Sequence, residues 1–287
     1  MSAAAPTVID HPSPNYGARR DAPIDLLVLH YTDLPTLDEA LAILTDPARA
    51  VSAHYLIAAD GRIFQLVAEG QRAWHAGVAY WGGVTDVNSR SIGIELDNPG
   101  HSHGPAPFPP AQMASLIALA GDLTRRHPIT PAGVIGHSDV APARKQDPGA
   151  LFDWAALAAA GLGLWPRAAR PRPLTVAEAE SHLTTIGYDP DRRRTCFADA
   201  LGAFQRHWRP ACVDGVLDDE TGGLLAAVAA ATAHAGAGAG AAAVVHYHHR
   251  AAALKQAGFL AWTITSNPFV LALSLLVPVI AQTISLS

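Results

Sequence analysis

The chain has 287 residues, enough for two domains at roughly 100–200 residues each, and its 49% hydrophobic content readily supplies a packed core. A net charge of −5 excludes the basic excess that marks a nucleic-acid-binding protein. Two cysteines, Cys196 and Cys212, are too few for a disulfide framework and wrongly spaced for a zinc knuckle. They suit either one pair in an oxidising compartment or two free thiols.

The first ten residues carry neither a basic stretch nor an apolar run, so no signal peptide is expected. Leu26-Leu-Val-Leu-His30-Tyr31 reads as a buried strand. Thr36-Leu-Asp-Glu39 is a capping box that opens a helix through about Leu44. Two apolar runs joined at Asp60-Gly61 predict a hairpin between His54 and Val67. Ser91-Ile-Gly-Ile-Glu95-Leu96 is a further strand. Pro109 and Pro110 open a helix whose Met113, Leu116, Ile117, Ala120 and Leu123 share a face. Gly133-Val-Ile-Gly-His137 closes the region as a short strand. Strands interleaved with helices predict an α/β (α+β) fold, a mixed central sheet flanked by helices, over residues 1–165.

A Pro/Arg linker follows at residues 166–173. Residues 174–231 read as a small three-helix domain. Its markers are the capping box Thr175-Val-Ala-Glu178, a C-terminal Gly187, a helical face from Phe197 to Trp208, and Asp218, Asp219 and Glu220 at the start of a third helix. Residues 232–258 are an Ala/Gly-rich tether. Residues 259–287 are apolar and end the chain. The run from 259 to 286 suits a membrane anchor, a packed hairpin or a dispensable terminus, and membrane association is the favoured expectation.

Three residues offer an open zinc site: His30, His137 and, ten residues on, Asp147. Catalytic zinc takes three such ligands and keeps a fourth position for water. Their spacing by itself is weak, since a histidine on a strand is usually structural. Two neighbours add to it. Lys145 lies two residues before Asp147, where a cation suits an oxyanion. Glu95 sits in an otherwise apolar strand, a costly place for a carboxylate without a partner. It reads either as an outward or Arg90-paired residue or as a general base. His101 and His103 are taken as solvated loop residues, and His246, His248 and His249 as part of the tether.

Six blocks in order then resemble the type-two N-acetylmuramoyl-L-alanine amidases over roughly residues 11–157. They are His11-Pro-Ser-Pro-Asn-Tyr16, Val28-Leu-His30-Tyr-Thr32, Val51-Ser-Ala-His54-Tyr-Leu-Ile57, Ala73-Trp74-His75-Ala-Gly-Val78, Ser91-Ile-Gly-Ile-Glu95-Leu96 and the run from Gly136 to Gly149. The resemblance implies a zinc hydrolase that cuts the amide between N-acetylmuramic acid and L-alanine. In it His30, His137 and Asp147 are the ligands, Glu95 and Lys145 the catalytic pair, and Trp74, His75 and His54 substrate-binding residues. Asp147 stands where phage members use cysteine, and Ala53 where they place a catalytic tyrosine, which is similar to the bacterial recycling and cell-envelope branch. The implied partners are peptidoglycan or anhydro-muropeptides.

The helical unit resembles a three-helix peptidoglycan-binding module through Ala179 to Tyr188, Ala200 to Gln205, and Val213 to Leu217 with Thr221. Such a module suits the periplasm, whereas the lack of a visible export signal suits the cytoplasm. Because every candidate catalytic residue precedes Trp165, a chain ending there is expected to cleave small soluble muropeptides alone.

Overall fold

The structure is a computed structural model and describes residues 6–20, 22–166 and 169–235. The strands are β1 (Val8–Asp10), β2 (Tyr16–Ala18), β3 (Leu26–Tyr31), β4 (Tyr55–Ile57), β5 (Ile63–Gln65), β6 (Gln71–Ala73), β7 (Ser91–Leu96) and β8 (Val134–Gly136). The helices are α1 (Leu37–Thr45), α2 (Val87–Arg90), α3 (Pro110–Arg126), α4 (His137–Val140), α5 (Trp154–Ala159), α6 (Val176–Ile186), α7 (Phe197–Trp208) and α8 (219–235). Six strands form a mixed sheet in the order β1-β5-β4-β7-β3-β8, and every neighbouring pair but β4–β5 is parallel. A second sheet pairs β2 with β6.

Alternation along the strands sends successive side chains to opposite faces. Leu27, Leu29, Ile92, Ile94 and Leu96 meet Leu116, Leu119 and Leu123 of α3 on one face. Leu26 and Val28 face the other way, into a core with Val140, Leu183, Phe204, Trp208, Leu225 and Val228. Helices α6 to α8 thus share one continuous apolar core with the sheet, and the two regions fall in a single compact unit. Across the same face, Leu56 and Phe64 bury Ala40 and Leu44 of α1.

Most local signals act as read. The Thr36 hydroxyl accepts from the Glu39 amide, and Gly61, at φ +90°, turns the β4–β5 hairpin. Thr175 and Glu178 close a reciprocal capping box on α6, and Gly187 ends that helix at φ +138°. Two details differ. In α3, Leu119 and Gln112 are buried while Met113 and Ile117 are only partly so. The Gln112 amide donates to the carbonyls of Ile57 and Asp97, which makes it part of the sheet contact.

The other difference concerns His137, which is not a strand residue. β8 stops at Gly136, whose N–H donates to the Asp139 carboxylate at 2.8 Å, and the chain turns into α4 at His137.

Residues 232–235 of the expected tether continue α8 rather than leaving it, and the rest of the tether, 236–258, with the apolar segment 259–287, lies outside the described residues. Among the described residues, no helix is long and apolar enough to cross a membrane.

Candidate metal centre and catalytic cleft

β3, β7 and β8 end together at a cleft of about 350 Å³. His30 continues the Leu26–Val28 row of β3, and Glu95 of β7 stands in register beside it, so both side chains occupy the same face. His137, the first residue of α4, and Asp147, on the loop beyond it, complete the floor. The Ser138 amide ties the two segments by donating to the Asp147 carbonyl at 2.9 Å. His30, His137 and Asp147 are all buried.

Their inward atoms form a small triangle. His30 Nδ1 is 2.9 Å from His137 Nδ1, and each is 3.0 Å from Asp147 Oδ2. The outer hydrogen bonds show where the protons are. Ser91 Oγ–H donates to the Val87 carbonyl at 2.7 Å, so it accepts from His75 Nε2–H at 3.1 Å. His75 Nδ1 therefore accepts from His30 Nε2–H, also at 3.1 Å. His137 Nε2–H donates to the Ala76 carbonyl at 3.2 Å. Both histidines consequently turn an unprotonated Nδ1 toward the carboxylate.

Charge agrees with this assignment. Burial, then proximity to His137, pulls His30 down to about 4, and burial holds His75 well below the usual histidine range. Three converging lone-pair donors with no proton between them repel one another unless a cation sits among them. Two imidazole nitrogens and one carboxylate oxygen, all buried and mutually within reach, form the donor set of an open zinc-type site.

Glu95 lies at the edge of this triangle. Its Oε2 is buried without a hydrogen-bond partner. Burial, reinforced by the Asp147 charge and countered by Lys145, raises its carboxyl well above the usual carboxylate range. Arg90 does not pair with it, being engaged by Asp25. Lys145 lines the same cleft, and among the described residues its ammonium makes no ion pair.

The three expected substrate residues part company. His75 lines the cleft as the outer partner of His30, and it fits because residue 93 is glycine. A Cβ at Gly93 would stand 2.5 Å from the His75 ring. His54 does not line the cleft. It is fully buried, its Nδ1 accepting the Gly93 amide and its Nε2 meeting the Gln71 carbonyl and Arg19, so its polar atoms are used within the fold. Trp74 is half-buried beside Gly17 of β2 and is likewise not a cleft residue.

His101 is an exposed loop residue, as read, and it also lines the cleft mouth, with Nδ1 2.5 Å from the Tyr31 hydroxyl. Sequence reasoning also missed Asn88, whose Oδ1 accepts the amides of His75 and Ala76, and Arg144, which donates to the carbonyls of Ala76 and Val78. Neither has a local signature. Gly93 did, since an isolated glycine in an apolar strand marks a close approach.

Residues 20–150 match the family described as N-acetylmuramoyl-L-alanine amidase. Over 229 residues the chain is 42% identical to the N-acetylmuramoyl-L-alanine amidase AmiD of Escherichia coli, covering 71% of this chain and 82% of that protein. This chain belongs to the N-acetylmuramoyl-L-alanine amidase family. The amidase is also 37% identical to the 1,6-anhydro-N-acetylmuramyl-L-alanine amidase AmpD of Enterobacter cloacae, over 50% of this chain and 84% of that one. Two solved structures resemble it in three dimensions. One is AmiD from E. coli in complex with anhydro-N-acetylmuramic acid-L-Ala-D-gamma-Glu-L-Lys, with a TM-score of 0.65, 42% identity, and 71% and 88% of the two chains covered. The other is AmpDh3 from Pseudomonas aeruginosa, with a TM-score of 0.64, 36% identity, and coverage of 75% and 93%. As an amidase, the chain is a hydrolase with a mixed α/β fold and a buried His-His-Asp group suited to a metal.

Proposed function

We propose that the chain hydrolyses the amide between N-acetylmuramic acid and L-alanine, in anhydro-muropeptides and related peptidoglycan fragments, with zinc held by His30, His137 and Asp147. The observation that carries this reading is the triangle of unprotonated donors beside the unpartnered Glu95 oxygen, in a chain of this family. The substrate held in the AmiD complex, an anhydro-muropeptide, supports the substrate class.

Zinc in this site would supply Lewis acidity, lowering the pKa of water and polarising the scissile carbonyl. Glu95 takes the proton of the attacking water, for which its partnerless oxygen and raised carboxyl suit it. Lys145, across the same cleft, places positive charge where the carbonyl oxygen becomes anionic. Glu95 then returns the proton to the alanine nitrogen, and a free peptide leaves. His75 fixes the orientation of His30 rather than gripping substrate. Helices α6 to α8, whose sequence resembles a peptidoglycan-binding module, would act by raising the local substrate concentration.

The test is digestion of purified muropeptides read by mass spectrometry, with elemental analysis of the same protein. An amidase releases peptides that begin with L-alanine, whereas a cut within the stem peptide refutes the assignment. One zinc per chain, lost in His30→Ala and His137→Ala, supports the ligand set. Full zinc in both variants would remove it.

A further inference from the structure

Outside the cleft, one buried polar cluster joins the C-terminal helices to the metal-ligand turn. Asp139, 1% exposed, lies on α4 two residues after His137. Its Oδ1 accepts from the Tyr188 hydroxyl at 2.6 Å, and its Oδ2 accepts from His207 Nδ1–H at 2.7 Å and from the Gly136 amide at 2.8 Å. Tyr188 follows α6 and His207 belongs to α7, so two of the three donors come from the helical unit. The His207 ring is stacked between Trp154 and Trp208, each with ring centroids 3.6 Å away. Trp154 in turn packs with Pro148 over Gly136, where a Cβ would come within 3.3 Å of the indole and 2.8 Å of the proline ring. One residue of α7 therefore contacts the His137 turn directly, through Asp139, and reaches the neighbourhood of Asp147 only indirectly, through Trp154.

α4 is four residues long, a single turn that cannot hold its own shape without outside contacts. A buried carboxylate is tolerated only while its acceptors are satisfied, and here they are satisfied from another part of the chain. From this geometry we infer that Tyr188 and His207 are positioning residues for the metal centre: they hold Asp139, and through Asp139 they set the place of His137. The helical unit is then a structural part of the active site, whatever affinity for the wall it also has. The inference goes beyond the assigned reaction and does not depend on which amide is cut.

Three full-length variants test it. Tyr188→Phe deletes one hydroxyl, His207→Leu removes the donor, and His207→Asn retains a donor near the Nδ1 position. Thermal unfolding establishes that each is folded. Tyr188→Phe and His207→Leu should bind zinc about 10–100-fold more weakly in competition with a chromophoric chelator, the loss typical of removing a partner that orients a ligand. They should also alter the visible spectrum of the cobalt-substituted protein and lower kcat with KM little changed, and His207→Asn should restore most of both. In metal-free protein, amide exchange at Gly136 and Ser138 should quicken in Tyr188→Phe, a readout that needs no bound metal.

Zinc affinity, cobalt spectrum and exchange all at the wild-type level in folded Tyr188→Phe overturn the inference, whether or not His207→Leu folds. Equal losses in His207→Asn and His207→Leu also overturn it, by assigning the effect to ring stacking. A wild-type protein that binds zinc yet leaves the muramoyl–alanine bond intact refutes the proposed function and leaves this comparison standing.

Discussion

His30 Nε2 donates its proton to His75 Nδ1 across 3.1 Å, and this one bond decides which nitrogen of His30 faces the metal site. The chain continues through Ser91 to the carbonyl of Val87, so the tautomer is set by a backbone oxygen at the end of three links. Replacing Ser91 by Ala removes the acceptor for His75 and frees that ring to reverse its tautomer. Zinc affinity should fall roughly 10-fold or more while the fold is kept. Gly93→Ala should do greater harm, since its Cβ would collide with the His75 ring and overpacking typically costs about 1–3 kcal/mol. Chelator competition and urea unfolding measure the two effects separately.

Glu95→Gln should retain zinc and fold but lose about 10²–10⁴-fold in kcat, because an amide cannot take a proton from water. Removing a buried, unpaired acidic oxygen should at the same time leave stability unchanged or raised. Lys145→Ala should lower kcat by a comparable order if its charge serves the oxyanion. Steady-state kinetics on a defined muropeptide, with zinc content checked on each variant, measures this. Near-normal turnover by Glu95→Gln would make Glu95 structural.

The metal-free protein should lose stability as pH falls from about 6.5 toward 4. His30 is pulled down to about 4 and His54 to about 3, in each case chiefly by burial, and burial also holds His75 low. Over that window the unfolded chain binds protons that the folded one refuses, so stability rises with pH and is complete above the unfolded histidine value. Glu95, raised by burial, acts in the opposite sense, its share declining as pH rises above the unfolded carboxylate value. Asp97, also raised by burial, acts in the same sense as Glu95, and three histidines against these two carboxyls set the net direction. Urea unfolding between pH 4 and 8 tests this, and Glu95→Gln should steepen the dependence.

A chain ending at Trp165 should aggregate and lose activity even on small soluble muropeptides. The cut would leave Leu26, Val28, Trp81, Ile135 and Val140 without their covering from α6 to α8. Each large apolar side chain returned to water costs roughly 1.5–3 kcal/mol, a sum comparable to the whole stability of a domain. Asp139 would also lose two of its three donors. Size-exclusion chromatography and dye binding to exposed apolar surface report the outcome. A monomeric, active fragment would show that the helical unit is an independent domain.

The sequence by itself determined the local elements and the chemical inventory. The Thr36 N-cap, the Thr175 capping box and the Asp60-Gly61 turn act through contacts a few residues apart and formed where they were read, although at Thr36 only the hydroxyl half of the expected box is made, and the apolar run Leu26 to Tyr31 is the buried strand it was read as. The ordered motif blocks led to His30, His137, Asp147, Glu95 and Lys145, which the fold brings to one cleft. What only the tertiary structure decided was how those groups are held. The tautomer of His30 depends on Ser91, 61 positions away by the numbering, and the support of Asp139 on Tyr188 and His207, 49 and 68 positions away. The same distance effect hid the difference between His54, spent on the Gly93 amide, and His75, aimed at the metal centre. A side chain's chemistry is written in its own residue type, but its proton, its burial and its partners are set by whatever the fold packs against it.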